Sequence, residues 1–219
     1  MQPIAFLFDM DGVIIDSNPF HKTALKQFCK KHGHELTEEV LKEKIYGRTN
    51  KDWLTNLFGK LEPEKLKAYA EEKEQLFRDL YENDIRLVDG LDSFLKKLDE
   101  YKIPRAIATS APRANVDFTL AKTGTHKYFE TILDDSFVTE GKPNPQIYLK
   151  SAAALNFKPE NCIVIEDSIS GVQAGKNAGC KVIGITTTHI KEELADTDMI
   201  IENFVGLDPK EVISQLFRV

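Results

Sequence analysis

The sequence predicts an α/β protein: a doubly wound, Rossmann-like parallel sheet with an α-helical bundle inserted after the first strand. Three observations carry this expectation. Short apolar runs alternate with helical periodicities from Leu91 to Phe217, a rhythm that builds parallel sheets covered on both faces. Between about Phe20 and Glu82 the periodicity is helical throughout. Acidic and hydroxyl residues stand where apolar runs stop, and such sheets bind ligands beyond the carboxyl ends of their strands.

The elements follow in order. Ile4-Ala5-Phe6-Leu7-Phe8 reads as a buried strand. In the insertion, Leu25, Phe28 and Cys29 recur at helical spacing, as do Leu41 and Ile45. Pro63-Glu64 opens an amphipathic helix on which Leu66, Tyr69, Ala70, Lys73, Leu76, Phe77 and Leu80 recur at steps of three and four. Asn83-Asp84 closes it, and Val88-Asp89-Gly90 marks the return to the sheet. Then come a helix from Leu91 to Tyr101, a strand from Arg105 to Thr109, a helix from Ala114 to Lys122, and a short strand Thr131-Ile132-Leu133. A helix from Pro145 to Leu155, strand Cys162 to Ile165, helix Gly171 to Ala178, strands Val182 to Ile185 and Met199 to Ile201, and a helix Pro209 to Phe217 complete the chain. The expected domains are residues 1–16 with 88–219 for the sheet and 17–87 for the helical cap.

At 219 residues the chain accommodates one good core and a second small domain. Hydrophobic residues at 42% and charged residues at 29% fit an ordinary globular protein, and exclude collagen-like and disordered classes. No apolar stretch approaches a membrane span, and no export signal is visible, so a cytoplasmic location is expected. Cys29, Cys162 and Cys180 are odd in number and widely spaced, which suits a reducing compartment and core positions. With 35 acidic against 29 basic residues the net charge of -6 favours neither nucleic acid nor an anionic membrane as partner. A small molecule is expected instead, bound by a monomer or weak homodimer.

The strand ends carry the chemistry. Asp9 and Asp11, in Asp9-Met10-Asp11-Gly12-Val13, follow the first strand, and period-2 alternation sends both to one side of its end. Two carboxylates together need a cation, a shared proton or thorough solvation, although the same residues also suit a plain strand-end turn. After Ala108 stand Thr109 and Ser110, followed by Pro112-Arg113 at a helix start: an anion cradle, or an ordinary N-cap. Lys142 lies in Gly141-Lys142-Pro143-Asn144-Pro145, where prolines restrict the backbone of what is otherwise a loop lysine. Glu166-Asp167-Ser168 follows the strand ending at Ile165, and reads either as a second acidic pair or as helix capping. Gly171, Gly175 and Gly179 read as packing and turn positions, since no Gly-x-Gly-x-x-Gly follows a strand. Taken together, the four places supply a carboxylate nucleophile, an anion cradle, a neutralising cation and ligands for a hard ion such as Mg2+.

These four segments resemble, in order, the motifs of the haloacid dehalogenase superfamily in its phosphoryl-transfer branch: Asp9-Met10-Asp11-Gly12-Val13, Ala108-Thr109-Ser110, Lys142-Pro143 and Ile165-Glu166-Asp167-Ser168. The resemblance covers essentially the whole chain. Gly141 to Tyr148 and Glu166 to Val172 are similar to the β-phosphoglucomutase-like subgroup, and the insertion to that superfamily's small helical cap. The resemblance implies that Asp9 attacks phosphorus to form an aspartyl-phosphate, and that Asp11 serves first as acid and then as base. It implies Mg2+ held by the Asp9 side chain, the Asp11 backbone carbonyl and Asp167, with Glu166 in or beside that shell. Thr109, the Ser110 backbone N–H and Lys142 would hold the phosphoryl oxygens. A dehalogenase is the lesser alternative, because a halide leaves without the proton that Asp11 is there to give.

The cap would choose the substrate. By the same resemblance His21, Arg48, Asn50 and Lys73 are candidate substrate residues, although His21 also suits a helix surface and Lys73 a solvated charged stretch. Gly47-Arg48-Thr49-Asn50 resembles a sugar-phosphate-binding loop of the mutase, but Asn50 stands where that loop has arginine, with Arg48 two places earlier. Losing a bidentate phosphate clamp favours a phosphatase acting on a small phosphorylated metabolite of the sugar-phosphate class, with a hexose phosphate mutase as the alternative. A receiver-like signalling switch also gathers acids, a hydroxyl and a lysine, yet it needs no cap and orders those residues differently.

Overall fold

A computed structural model describes residues 3–41, 45 and 49–217. The chain divides into two compact units: one runs through Asp16 and resumes at Ile85, and the other is Ser17–Asp84.

The first unit is built on six parallel strands: β1 (Ala5–Phe8), β2 (Arg105–Ala108), β3 (Thr131–Leu133), β4 (Cys162–Glu166), β5 (Lys181–Ile185) and β6 (Met199–Ile201). Their order across the sheet is β3-β2-β1-β4-β5-β6. Chain order therefore runs outward from β1 to β3, then restarts beside β1 with β4. Such a reversal opens a crevice at the carboxyl ends of the two central strands. Phe8 pairs with Ile107 on one side and with Ile165 on the other, so Asp9 emerges between the ends of β2 and β4.

Both faces of the sheet are buried, which is why its strands are continuous apolar runs. Phe6 and Phe8 point to one face, where they meet Phe94, Phe129 and Phe204 with ring centroids 5.3 to 6.4 Å apart, largely edge-on or tilted. Phe94 belongs to a helix, Leu91–Glu100. On the opposite face Ala5 and Leu7 join Ala106, Val164 and Val182 beneath Ile147 and Tyr148 of one helix and Val172 and Ala174 of another. The small residues of β1 and β2 let those helices approach closely.

The second unit is helical: α1 (Asn18–Lys31), a single turn α2 (Glu38–Val40), α3 (Asn50–Phe58) and α4 (Pro63–Tyr81). Pro63 opens α4 and Thr49 caps α3 by accepting from the Asp52 N–H. Leu25, Phe28, Cys29, Trp53 and Leu54 form its core, with Leu66, Tyr69 and Ala70 packed against them. The remaining helices belong to the first unit: α5 (Leu91–Glu100), α6 (Arg113–Thr123), α7 (Gln146–Ala154), α8 (Ile169–Asn177) and α9 (Pro209–Phe217).

Several element ends shift by a residue or two from the sequence expectation, and two differences bear on the units and the site. The antiparallel bridge between Ile15 and Leu87 puts residues 85–87 with the sheet unit, although they were expected at the end of the insertion. β4 extends to Glu166, one residue beyond its apolar run, because hydrogen bonding to Gly184 of β5 continues whatever the side chain. Among the described residues no helix is long and apolar enough to cross a membrane.

Candidate active site

The carboxyl ends of β1 and β4 bring Asp9, Glu166 and Asp167 together. One carboxylate oxygen from each lies within 4.8 Å of the others, and all three residues are buried. Lys142 arrives from the loop between β3 and α7, following Gly141 and joined to Pro143 by a cis peptide bond. Its ammonium donates to Asp9 Oδ1 at 2.6 Å and to Glu166 Oε1 at 2.5 Å. Glu166 is fully buried and takes three further donors: the Tyr148 hydroxyl on Oε1 at 2.5 Å, and the Ser168 N–H and hydroxyl on Oε2 at 3.3 and 3.0 Å.

Two glycines are required by close approach. A Cβ on Gly12 would stand 2.0 Å from Asp167 Oδ2, and the residue's φ of 75° is one that side chains resist. On Gly171 a Cβ would lie 1.9 Å from the Glu166 carboxyl group, so the first turn of α8 can pack on Glu166 only without a side chain. Ser168 caps that helix by accepting from the Gly171 N–H at 3.1 Å while donating to Glu166, so capping and site building coexist in one residue.

The charges explain each other. Burial pushes the Asp9 carboxyl well above the usual range; Lys142 opposes this, while Glu166 and Asp167 reinforce it. Burial also raises Asp167 to about 7, helped by the Glu166 carboxylate and opposed by the Thr188 hydroxyl and Lys142. Lys142 is buried too, which by itself would discharge it, but Asp9 and Glu166 outweigh that effect and hold it protonated. Three acids thus share one ammonium.

The other expected residues fall out as follows. Strand alternation does not set Asp11, because β1 stops at Phe8; the turn through Gly12 and a bridge to Ile15 place it half-buried, close enough to contribute to the raised Asp167 value. Thr109 follows β2, its N–H bonded to Leu133 O and its Oγ1 accepting from the Ala111 N–H at 3.0 Å. Neither Thr109 nor Ser110 caps α6: the capping position is Pro112, with no side-chain bond. Ser110 is exposed.

In the helical unit His21, Asn50 and Lys73 do converge, on a residue that sequence reasoning missed. Glu74 accepts from Lys73 at 2.9 Å and from Asn50 at 3.0 Å, while Lys73 Nζ also lies 2.9 Å from His21 Nδ1. His21 stacks flat on Phe77 at 3.6 Å, and the Asn50 carbonyl accepts from Trp53 Nε1 at 2.8 Å. Lys73 is buried rather than solvated, and burial would raise Glu74, but Lys73, His21 and Asn50 together hold its carboxyl below the usual range. Arg48 lies outside the described residues.

A family model for haloacid dehalogenase-like hydrolases matches residues 6–185. The chain belongs to the haloacid dehalogenase-like hydrolase family. A phosphorylated carbohydrates phosphatase from Thermotoga maritima is 34% identical over 98% of this chain and 99% of its own. Among solved structures, a family IA, variant 3 hydrolase from Entamoeba histolytica has a TM-score of 0.89 at 34% identity, covering 98% of this chain and 99% of that one. A β-phosphoglucomutase from Clostridium difficile has a TM-score of 0.84 at 26% identity, covering 99% and 98%.

This haloacid dehalogenase-like hydrolase has a donor set that fits a divalent ion. Asp9, Glu166 and Asp167 offer only oxygen, which suits Mg2+, and a cation would offset the burial and the mutual repulsion that together raise Asp9 and Asp167. Sequence reasoning passed over Tyr148, Thr187 and Thr188. Thr188 donates its hydroxyl to Asp167 Oδ2, and Thr187 donates to the Gly12 carbonyl at 2.5 Å. Their signal was present, since Thr186-Thr187-Thr188 follows β5, but neutral hydroxyls after a strand attract less notice than charges. Tyr148 reads as one more apolar position on α7.

Proposed function

We propose that this enzyme is a Mg2+-dependent phosphatase that takes the phosphoryl group of a small phosphorylated metabolite, of the sugar-phosphate class, onto Asp9 and passes it to water. The observation that carries this reading is Lys142, a buried ammonium bonded at once to Asp9 and Glu166. Such a lysine can neutralise the phosphoryl oxygens beside the attacking carboxylate. The carbohydrate phosphatase from Thermotoga maritima supports the substrate class.

The residues divide the work. An Asp9 oxygen attacks phosphorus as the ester P–O bond breaks, giving an aspartyl-phosphate. Asp11 gives its proton to the leaving alkoxide, then takes one from the water that attacks the same phosphorus, so that phosphate leaves and Asp9 is restored. Thr109 and the Ser110 N–H hold phosphoryl oxygens together with Lys142. Mg2+, held by Asp9, Asp167 and the Asp11 carbonyl with Glu166 at its edge, would supply positive charge against the gathered anions. Three buried thiols suit a reducing, cytoplasmic setting.

A mutase is the second reading, supported by the β-phosphoglucomutase neighbour. Asn50 favours hydrolysis, because it brings an amide already engaged with Glu74 where a mutase presents a guanidinium to a second phosphate. A panel of phosphorylated metabolites with Mg2+, scored for phosphate release and for isomerised product, separates the two. Release from sugar or polyol monophosphates is expected. Bisphosphate-stimulated isomerisation with negligible release would replace this reading by the mutase, and stoichiometric labelling by acetyl phosphate without turnover would point to a signalling switch.

A further inference from the structure

We infer that Tyr148 is a positioning residue which, through Glu166, fixes the Lys142 ammonium; this rests on the role given to Lys142 above. Tyr148 is completely buried, and its hydroxyl donates to the same Glu166 oxygen that takes the lysine. Its ring also faces the ammonium, 5.3 Å from Nζ to the ring centroid. A buried phenol needs a partner, and here the partner is the group that anchors the cation.

The donor count shows why this matters. A carboxylate has about four good acceptor positions, and Glu166 receives four donors: Lys142, Tyr148, and the N–H and hydroxyl of Ser168. Its orientation is therefore set by two helices, α7 through Tyr148 and α8 through Ser168. Lys142 itself stands on a loop and has a long side chain with much rotamer freedom. The two carboxylates that anchor it behave differently during the reaction. Asp9 loses its free carboxylate when it bonds to phosphorus, whereas Glu166 forms no bond to phosphorus and keeps both oxygens as acceptors. During the aspartyl-phosphate stage, position is thus held from the Glu166 side, where the phenol ties the oxygen that takes the lysine to α7 while Ser168 ties the other oxygen to α8.

The test is a double-mutant cycle on the full chain with p-nitrophenyl phosphate and Mg2+. Tyr148→Phe keeps the ring and removes one hydroxyl. It is expected to lower kcat about tenfold, with KM and Mg2+ affinity by calorimetry within about twofold. In a Lys142→Ala background the same change is expected to have no further effect on kcat, whereas a merely structural tyrosine would lower both backgrounds alike. A kcat for Tyr148→Phe within twofold of wild type, or an equal loss in both backgrounds, overturns the inference. Lys142→Ala with unchanged kcat would instead sink the underlying reading. Should Tyr148→Phe fail to fold, 3-fluorotyrosine at position 148 retains ring and hydroxyl while changing donor strength. A kcat shift beyond twofold then supports the inference, and none opposes it.

Discussion

At position 9 shape and charge can be separated by experiment. Asn keeps the volume of Asp9 but offers no attacking carboxylate, so Asp9→Asn is expected to reduce phosphate release at least about a thousandfold. Because burial already opposes the charge on Asp9, the variant should melt no lower than wild type in EDTA; a lower melting temperature with residual activity would contradict the mechanism. Gly12→Ala tests geometry instead. The new methyl would meet Asp167 at a backbone angle that resists side chains, so a loss of about 1–3 kcal/mol in urea unfolding is expected, with weaker Mg2+ binding by calorimetry. Asp9 and Gly12 were expected at a strand end, although the same residues also suited a plain turn, and the fold gathers Asp9 with Glu166 and Asp167. Tyr148 was not legible, because an aromatic at a core position of a helix looks the same whether or not its hydroxyl reaches an acid.

Helix α4 shows what periodicity does and does not reveal. Its start at Pro63 and its stripe, Lys73 included, were expected and are present, but Lys73 also suited a solvated charged stretch and Glu74 was not singled out. Charge alone does not say which side of a helix is covered; that depends on α1 and α3, which bring His21 and Asn50 to the pair. Glu74→Ala would leave Lys73 buried beside His21 without its carboxylate. It is expected to cost about 3–5 kcal/mol, read as a lower urea midpoint of the helical signal, whereas a loss below about 1 kcal/mol would mean that the pair is well solvated. At the strand ends the parallel rhythm put Asp9, Glu166 and Asp167 toward one edge, whereas Lys142 by itself read as a loop lysine and joined them only when the four places were taken together.

For the whole molecule, the cluster is expected to make stability depend on pH and on added metal together. Asp167 is raised to about 7 from an ordinary value near 4, so the folded chain keeps a proton that the unfolded chain has lost between those values. Its stabilising contribution is complete below about pH 4 and is lost as the pH rises through about 7; Asp9 acts with the same sign. In EDTA the melting temperature is therefore expected to fall across this window, and Mg2+ should raise it more at pH 8 than at pH 5. An equal rise at both values would separate metal binding from ionisation of the cluster. The alternation of strands and helices announced a parallel sheet of the doubly wound class, which implies a reversal, but not which strands stand beside it; that the reversal falls at β1 is a property of the folded chain.

That reversal has a bearing on synthesis. β1 leaves the ribosome first, yet both strands that flank it come much later, β2 after the helical unit and β4 later still. Ser17–Asp84 can mature while the nascent Ala5–Phe8 segment, sticky on both faces, waits for neighbours. The residue proposed to attack phosphorus is thus translated well before the strands that house it, and a stall before Cys162 would leave that hydrophobic ribbon open to chaperones or to aggregation.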